Sequence, residues 1–266
     1  MQEIYLIRHG KTQGNLAQRY VGRTEEPILE PEWERLAQLG QSLPQMHGIF
    51  VSPSLRCMQS AKALFPEFWE GGQAGMGRQG IILDKGAGEV IADFREMDFG
   101  EFEYKNYQEL NGNPDYQKFI DSNGAAGFPG GEHPERFKAR CRLGFAACLK
   151  RMETEGWERA AFVVHGGTIM AVMEHFCYPR KGFYDYQTGN GGGFVLELES
   201  ADPLAAGHSA LPGKKVQSRW EECGREKGSI EKGIQTSGWI KKDGIRKECS
   251  GYENRIFRCK DHWGRH

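Results

Sequence analysis

The sequence predicts an α/β fold, a sheet with helices on its faces, and two observations predict it. Strand-like runs at Glu3–Ile7, Gly48–Ser52, Ile81–Leu83 and Ala160–Val164 alternate with helical patterns at Glu32–Ser42, Leu55–Phe65 and Pro134–Glu155. The chain has 266 residues, 38% of them hydrophobic, which is enough apolar side chain for one large domain of this class plus an appendage.

The elements follow in order. Ile4-Tyr5-Leu6-Ile7 is β-branched and apolar enough for a buried strand, and Gly10 and Gly14 mark the loop that leaves it. A helix over 32–42, a strand over 48–52 and a helix over 55–65 come next. Residues 71–80, GGQAGMGRQG, carry five glycines but neither the lysine nor the strand-to-helix context of a phosphate loop, and read as a flexible surface insertion. The strand Ile81–Leu83, a polar stretch over 103–127, the helix Pro134–Glu155 and the strand Ala160–Val164 lead to a last strand, Gly193–Leu198, which closes the domain at about residue 199. Residues 200–266 form a polar, basic C-terminal extension. It has scattered Trp and Tyr but no apolar periodicity, so it is expected to be disordered or loosely attached.

Charge divides the same way. Residues 1–200 hold 21 Lys+Arg against 27 Asp+Glu, while 201–266 hold 14 against 9. Mixed signs and the absence of a basic stripe argue against a nucleic-acid-binding arm. The seven cysteines sit singly, without zinc-type spacing, and read as reduced thiols of a cytoplasmic protein. No signal-type N-terminus and no apolar run of about 18 residues appears, so neither secretion nor a membrane span is expected.

In a parallel sheet, ligands gather beyond the carboxyl ends of the strands. Three such ends carry chemistry: Arg8-His9, Ser52-Pro53-Ser54-Leu55-Arg56 and His165-Gly166-Gly167. Guanidinium forks at Arg8 and Arg56 suit a phosphate monoester dianion. With no cysteine-based phosphatase loop and no carboxylate cluster for a metal, the neutral imidazole of His9 is the candidate nucleophile. His165, at a glycine-rich helix start, is placed to bind the phosphate and stabilise its transition state. Glu96, between Phe94 and Met97, is the candidate proton donor to the leaving oxygen, its pKa raised by partial burial beside the dianion.

LIRHGKT, SPSLRCMQSA, FREMDFGEFE, FPGGE and VVHGGTI together resemble the motifs of the histidine phosphatase (phosphoglycerate mutase-like) superfamily over roughly residues 1–198. The resemblance implies a three-layer α/β/α sandwich with a mostly parallel central sheet and no metal or cofactor. It assigns His9 as nucleophile, Glu96 as proton donor, and Arg8, Arg56 and His165 to the phosphate, with Asn15 as a further pocket residue and Arg19 as a weaker one. FREMDFGEFE followed by KNYQELNGNPDYQKF and FPGGE is most similar to the α-ribazole phosphatase branch, which implies hydrolysis of α-ribazole 5′-phosphate in cobalamin synthesis. Phosphoglycerate mutase or a broad sugar-phosphate phosphatase is the alternative, and a non-catalytic phospholigand-binding module a third reading that leaves the acid Glu96 without a use. Where relatives often read GGES, this chain has Gly130-Gly131-Glu132-His133, so an imidazole stands near the pocket in place of a hydroxyl.

Overall fold

Strand β1 (Glu3–Arg8) buries Ile4 and Leu6 on one face and Tyr5 and Ile7 on the other, and this period-two sorting sets up two cores. Strands β2 (Gly48–Val51) and β4 (Arg159–Val164) repeat it: Phe50, Phe162 and Val164 join the Ile4 side, whereas Ile49, Val51 and Val163 join the Ile7 side. Strands buried on both faces need cover on both. Helices α5 (Pro134–Thr154) and α6 (Gly166–Phe176) supply it on the first side through Phe145, Leu149, Val172 and Phe176. Helices α2 (Glu30–Ser42) and α3 (Leu55–Leu64) supply it on the second through Leu36, Met58 and Leu64. The result is a three-layer sandwich.

The computed structural model describes residues 2–69, 88–200 and 256–263. Its sheet runs β3-β2-β4-β1-β6-β7-β5, where β3 is Gly88–Val90, β5 Cys177–Tyr178, β6 Gly193–Ser200 and β7 Ile256–Trp263. The β3-β2-β4-β1 half is parallel throughout; β6 is antiparallel to both its neighbours, and β7 is parallel to β5. No helix among the described residues is long and apolar enough to cross a membrane. Two short helices, α1 (Gln13–Leu16) and α4 (Pro114–Asp121), lie in the connections.

Several expectations are corrected or refined. The expected strand Ile81–Leu83 and the glycine-rich stretch 71–80 lie outside the described residues, and the strand beside β2 is Gly88–Val90. The expected loose extension is wrong for its last stretch: β7 pairs with β6 and β5 inside the sheet, while 201–255 lie outside the described residues. The reason is visible in side chains. Phe257 is wholly buried against Phe145 and Phe176, a burial that stabilises by about 1.5–3 kcal/mol. Trp263 donates its indole N–H to Gly191 O at 3.1 Å, and Lys260 meets Glu3 at 2.7 Å. The mixed charges of FRCKDHW hide a strand whose apolar anchors are few and well placed. His133 is the N-cap of α5, its ring Nδ1 accepting from the Glu135 N–H at 3.2 Å, so the imidazole does the capping work of a hydroxyl.

Candidate active site

Register brings the two histidines together. Arg8 lies opposite Val164 in the parallel β1–β4 pair, and the His9 N–H donates to Val164 O at 2.9 Å, so the residues just past both strand ends are neighbours. The His9 and His165 rings meet edge to face with centroids 5.2 Å apart, and both residues are buried. Strand β2, parallel to β4, ends at the same edge and delivers Ser52, Ser54 and Arg56.

His9 is held in one tautomer. Its Nδ1 lies 2.7 Å from Gly10 O, a group that only accepts, so the proton sits on Nδ1 and the lone pair on Nε2. Burial first, then the Arg56 and Arg8 guanidiniums, hold its pKa well below the ordinary histidine value, and the ring is neutral at pH 7. Next to it, the His165 Nε2 contacts the Ser52 hydroxyl at 2.7 Å and that of Ser54 at 3.2 Å. Burial, Arg56 and His9 lower its pKa in the same way.

The two arginines carry the charge. Arg56 is fully buried; its Nη atoms donate to the carbonyls of Val21, Gly22 and Thr24 at 2.9–3.1 Å, and its Nε–H has no partner. Arg8 donates to Thr188 O at 2.7 Å, and its buried Nε–H is likewise unpartnered. Neither guanidinium makes an ion pair with a carboxylate among the described residues. Two cations this close repel each other, and an anion placed between them would relieve that repulsion.

Glu96 stands at the N-terminus of α6, the helix that His165 caps. Its carboxylate accepts from the Met97 N–H at 2.9 Å and the Gly167 N–H at 3.4 Å. Desolvation raises its pKa against the opposing pull of these two donors and of Arg56 and Arg8. Gly167 permits the approach, since a Cβ there would collide with Glu96 Oε1 and stand 3.0 Å from Phe137.

Asn15 and Arg19 are placed differently. Asn15 Oδ1 accepts from the Thr12 N–H at 3.2 Å, closing a capping box on α1, and from Asn190 Nδ2 at 2.9 Å; Asn190 also donates to His9 O. Asn15 thus sits beside the His9 loop. Arg19 is engaged by Glu109 at 2.7 Å and by the Tyr104 carbonyl, and is not brought to the histidine pair. Sequence reasoning missed Thr188 and Asn190, which reach the site from the loop before β6, and Arg140, whose guanidinium reaches the backbone of the Glu96 loop. Only a polar TGN run before a strand hinted at the first two.

Two cavities flank the centre. One, of about 640 Å³, is lined by Arg8, Lys11, Asn15, Arg19, Arg35 and Asn190 among others. The other, of about 610 Å³, has Glu96 and Gly167 in its wall together with Tyr20, Phe99, Phe128 and Tyr184. Among the described residues its one lining cation, Lys138, pairs with Glu174 at 2.8 Å and lies over the Phe183 ring.

The family model of the histidine phosphatase superfamily (branch 1) matches residues 4–68 and 82–208. A probable phosphoglycerate mutase of Enterobacter sp. (strain 638) is 27% identical over 173 residues, covering 62% of this chain and 70% of its own. Similar solved structures include an α-ribazole phosphatase from Shigella flexneri (TM-score 0.59, 19% identity, 75% of this chain and 92% of that one). A putative α-ribazole-5′-P phosphatase of Escherichia coli K-12 is another (TM-score 0.58, 17% identity, 75% and 91%). These structures share the fold. With a family match over most of its length and the motif histidines side by side at adjoining strand ends, the chain belongs to the histidine phosphatase superfamily.

Proposed function

We propose that the protein is a phosphomonoesterase that works through a phosphohistidine at His9 and prefers an ester whose leaving alcohol carries an aromatic ring, α-ribazole 5′-phosphate being the first candidate. The observation that carries the chemistry is the neutral His9, its lone pair on Nε2, beside the buried Arg56 and the half-buried Arg8, neither of which pairs with a carboxylate among the described residues. In the first step Nε2 attacks phosphorus and the P–O bond to the leaving group breaks. Protonated Glu96 gives its proton to that oxygen, while Arg8, Arg56 and His165 hold the phosphoryl oxygens. In the second step water attacks the phosphohistidine, the P–N bond breaks, the Glu96 carboxylate takes the water's proton and inorganic phosphate leaves.

Leaving-group preference rests on the cavity beside Glu96. Tyr20, Phe99, Phe128 and Tyr184 offer ring faces to a planar apolar group, and its carboxylates Glu135, Glu174 and Asp185 together with the neutralised Lys138 disfavour an anionic one. The benzimidazole of α-ribazole suits such walls; the carboxylate of 3-phosphoglycerate does not. The mutase reading draws on the 27% identical relative, whose printed name is a probable phosphoglycerate mutase.

One experiment tests both levels. Alkaline quench, in which the P–N bond of a phosphohistidine survives, with a ³²P-labelled ester should trap a phosphoenzyme in the wild type and none in His9→Ala, whose turnover should fall by about 10⁴-fold or more. A phosphoenzyme persisting in His9→Ala would sink the mechanism. In parallel, kcat/KM for α-ribazole 5′-phosphate should exceed that for 3-phosphoglycerate by at least about 10²-fold. The reverse order, with isomerisation of the phosphoglycerate, selects the mutase.

A further inference from the structure

Arg140, on α5, uses every donor it has. Nε donates to Glu132 Oε1 at 2.8 Å and Nη2 to Glu132 Oε2 at 2.7 Å, a bidentate pair. The remaining three N–H groups go to main-chain carbonyls of one short segment: Nη1 to Asp93 O at 2.6 Å and Arg95 O at 2.7 Å, and Nη2 to Glu96 O at 3.1 Å. A guanidinium has five N–H groups, and all five are engaged. Its face lies over the Phe137 ring at 4.8 Å, and its side chain is 13% exposed.

Glu132 holds the far end of the same segment, since its own N–H donates to Asp98 O at 2.9 Å. The segment itself has little regular structure to fix it. After the 3-10 turn Ala92–Phe94 it is irregular up to Phe99, and among the described residues the Glu96 carboxylate accepts only from the Met97 and Gly167 N–H groups. The aim of that carboxylate therefore depends on where the backbone of 93–98 is held.

We propose that Arg140 and Glu132 are positioning residues that fix the Glu96 loop so that its carboxyl group reaches the leaving oxygen, which gives the FPGGE motif a part in proton transfer. The proposal rests on Glu96 being the general acid, as put forward above.

Leaving-group dependence tests it, because 4-nitrophenolate departs without a proton and an alkoxide does not. Turnover of 4-nitrophenyl phosphate and of a phenethyl phosphate is compared in Arg140→Met, Arg140→Lys, Glu132→Gln and Glu96→Gln, with circular dichroism to establish folding. Glu96→Gln and Arg140→Met should each lose at least about tenfold more kcat on the alkyl ester than on the nitrophenyl ester, a misplaced acid forfeiting much of its usual 10²–10⁴-fold contribution. Glu132→Gln should lose selectively in the same direction. Arg140→Lys should not restore the alkyl rate, since a single ammonium cannot span three carbonyls and a carboxylate.

Equal losses on both esters in folded Arg140→Met and Glu132→Gln, with Glu96→Gln selective, overturn the positioning role alone. Unselective loss in Glu96→Gln overturns the acid assignment and this proposal with it. Should Arg140→Met fail to fold, Glu132→Gln decides.

Discussion

His9 has its Nδ1–H committed to Gly10 O and its Nε2 unprotonated, and pH acts on the protein through that state. An unfolded histidine titrates near about 6.5. His9 and His165 are held below that in the fold, so protons taken up below pH 6.5 favour the unfolded chain. Each ring contributes stability that is present above pH 6.5 and lost as pH falls through that value toward its folded pKa. Glu96 has the opposite sign. Its folded pKa is raised, so its contribution is present below the ordinary value of 4.5 and lost as pH rises through the folded pKa. With two rings against one carboxyl, the melting temperature should drop as pH is lowered from 7 toward 5, each ring contributing a slope of up to about 1.4 kcal/mol per pH unit. His165→Asn should flatten that slope; an unchanged slope would mean the ring is protonated in the fold. Turnover follows a different course. With His9 neutral, the acid limb of kcat/KM should report the second ionisation of the phosphate ester, near about pH 6, and the alkaline limb the loss of the Glu96 proton. Glu96→Gln should abolish the alkaline limb.

Among the elements, the α2–α3 contact is a stringent test of packing. Gly40 faces the Leu64 carbonyl so closely that an added Cβ would overlap backbone, which cannot swing aside as a side chain would. Alanine gains up to about 1 kcal/mol of helix propensity over glycine, but overpacking of this kind costs about 1–3 kcal/mol. Gly40→Ala should therefore lower the urea midpoint with an unchanged m-value; a rise would show that the two helices can separate freely. These helices were legible in the sequence because apolar residues recur along one face: α2, α3 and α5 begin and end within about two residues of their expected bounds. The motif residues at strand ends were legible for a related reason, since a charged or imidazole side chain after an apolar strand is a local signal. α4 was not, because it is only eight residues long and no residue in it is buried, so its one short apolar stripe of Tyr116, Phe119 and Ile120 is lost in a polar stretch. Nor was the hold of Arg140 on the Glu96 loop, whose carbonyls lie more than 40 residues away along the chain and leave no periodic trace. Periodicity reports what a segment buries, and says nothing of which remote backbone it will hold.

For the molecule as a whole, β7 is the decisive element. Ile256–Trp263 sits inside the sheet between β6 and β5, and Phe257 completes the core on the α5–α6 side. Phe257→Ala should cost about 3–5 kcal/mol, as for other buried aromatics. An effect below about 1 kcal/mol would show that β7 adds nothing to the core. That loss should appear mainly as faster unfolding if β7 docks after the transition state. The topology gives a reason to expect such an order. Strand β1 finds its partners in β4 and β6, more than 150 residues along the chain, and Lys260 meets Glu3 across 257 residues. Contacts this distant in sequence must be closed by diffusion before they stabilise anything, which places refolding in the millisecond-to-second range or slower. Until β4 and β6 arrive, the apolar β1 offers two unpaired edges to any other chain nearby. Yield on refolding should therefore depend on protein concentration, and the first strand of the sequence is the segment through which losses to aggregation begin.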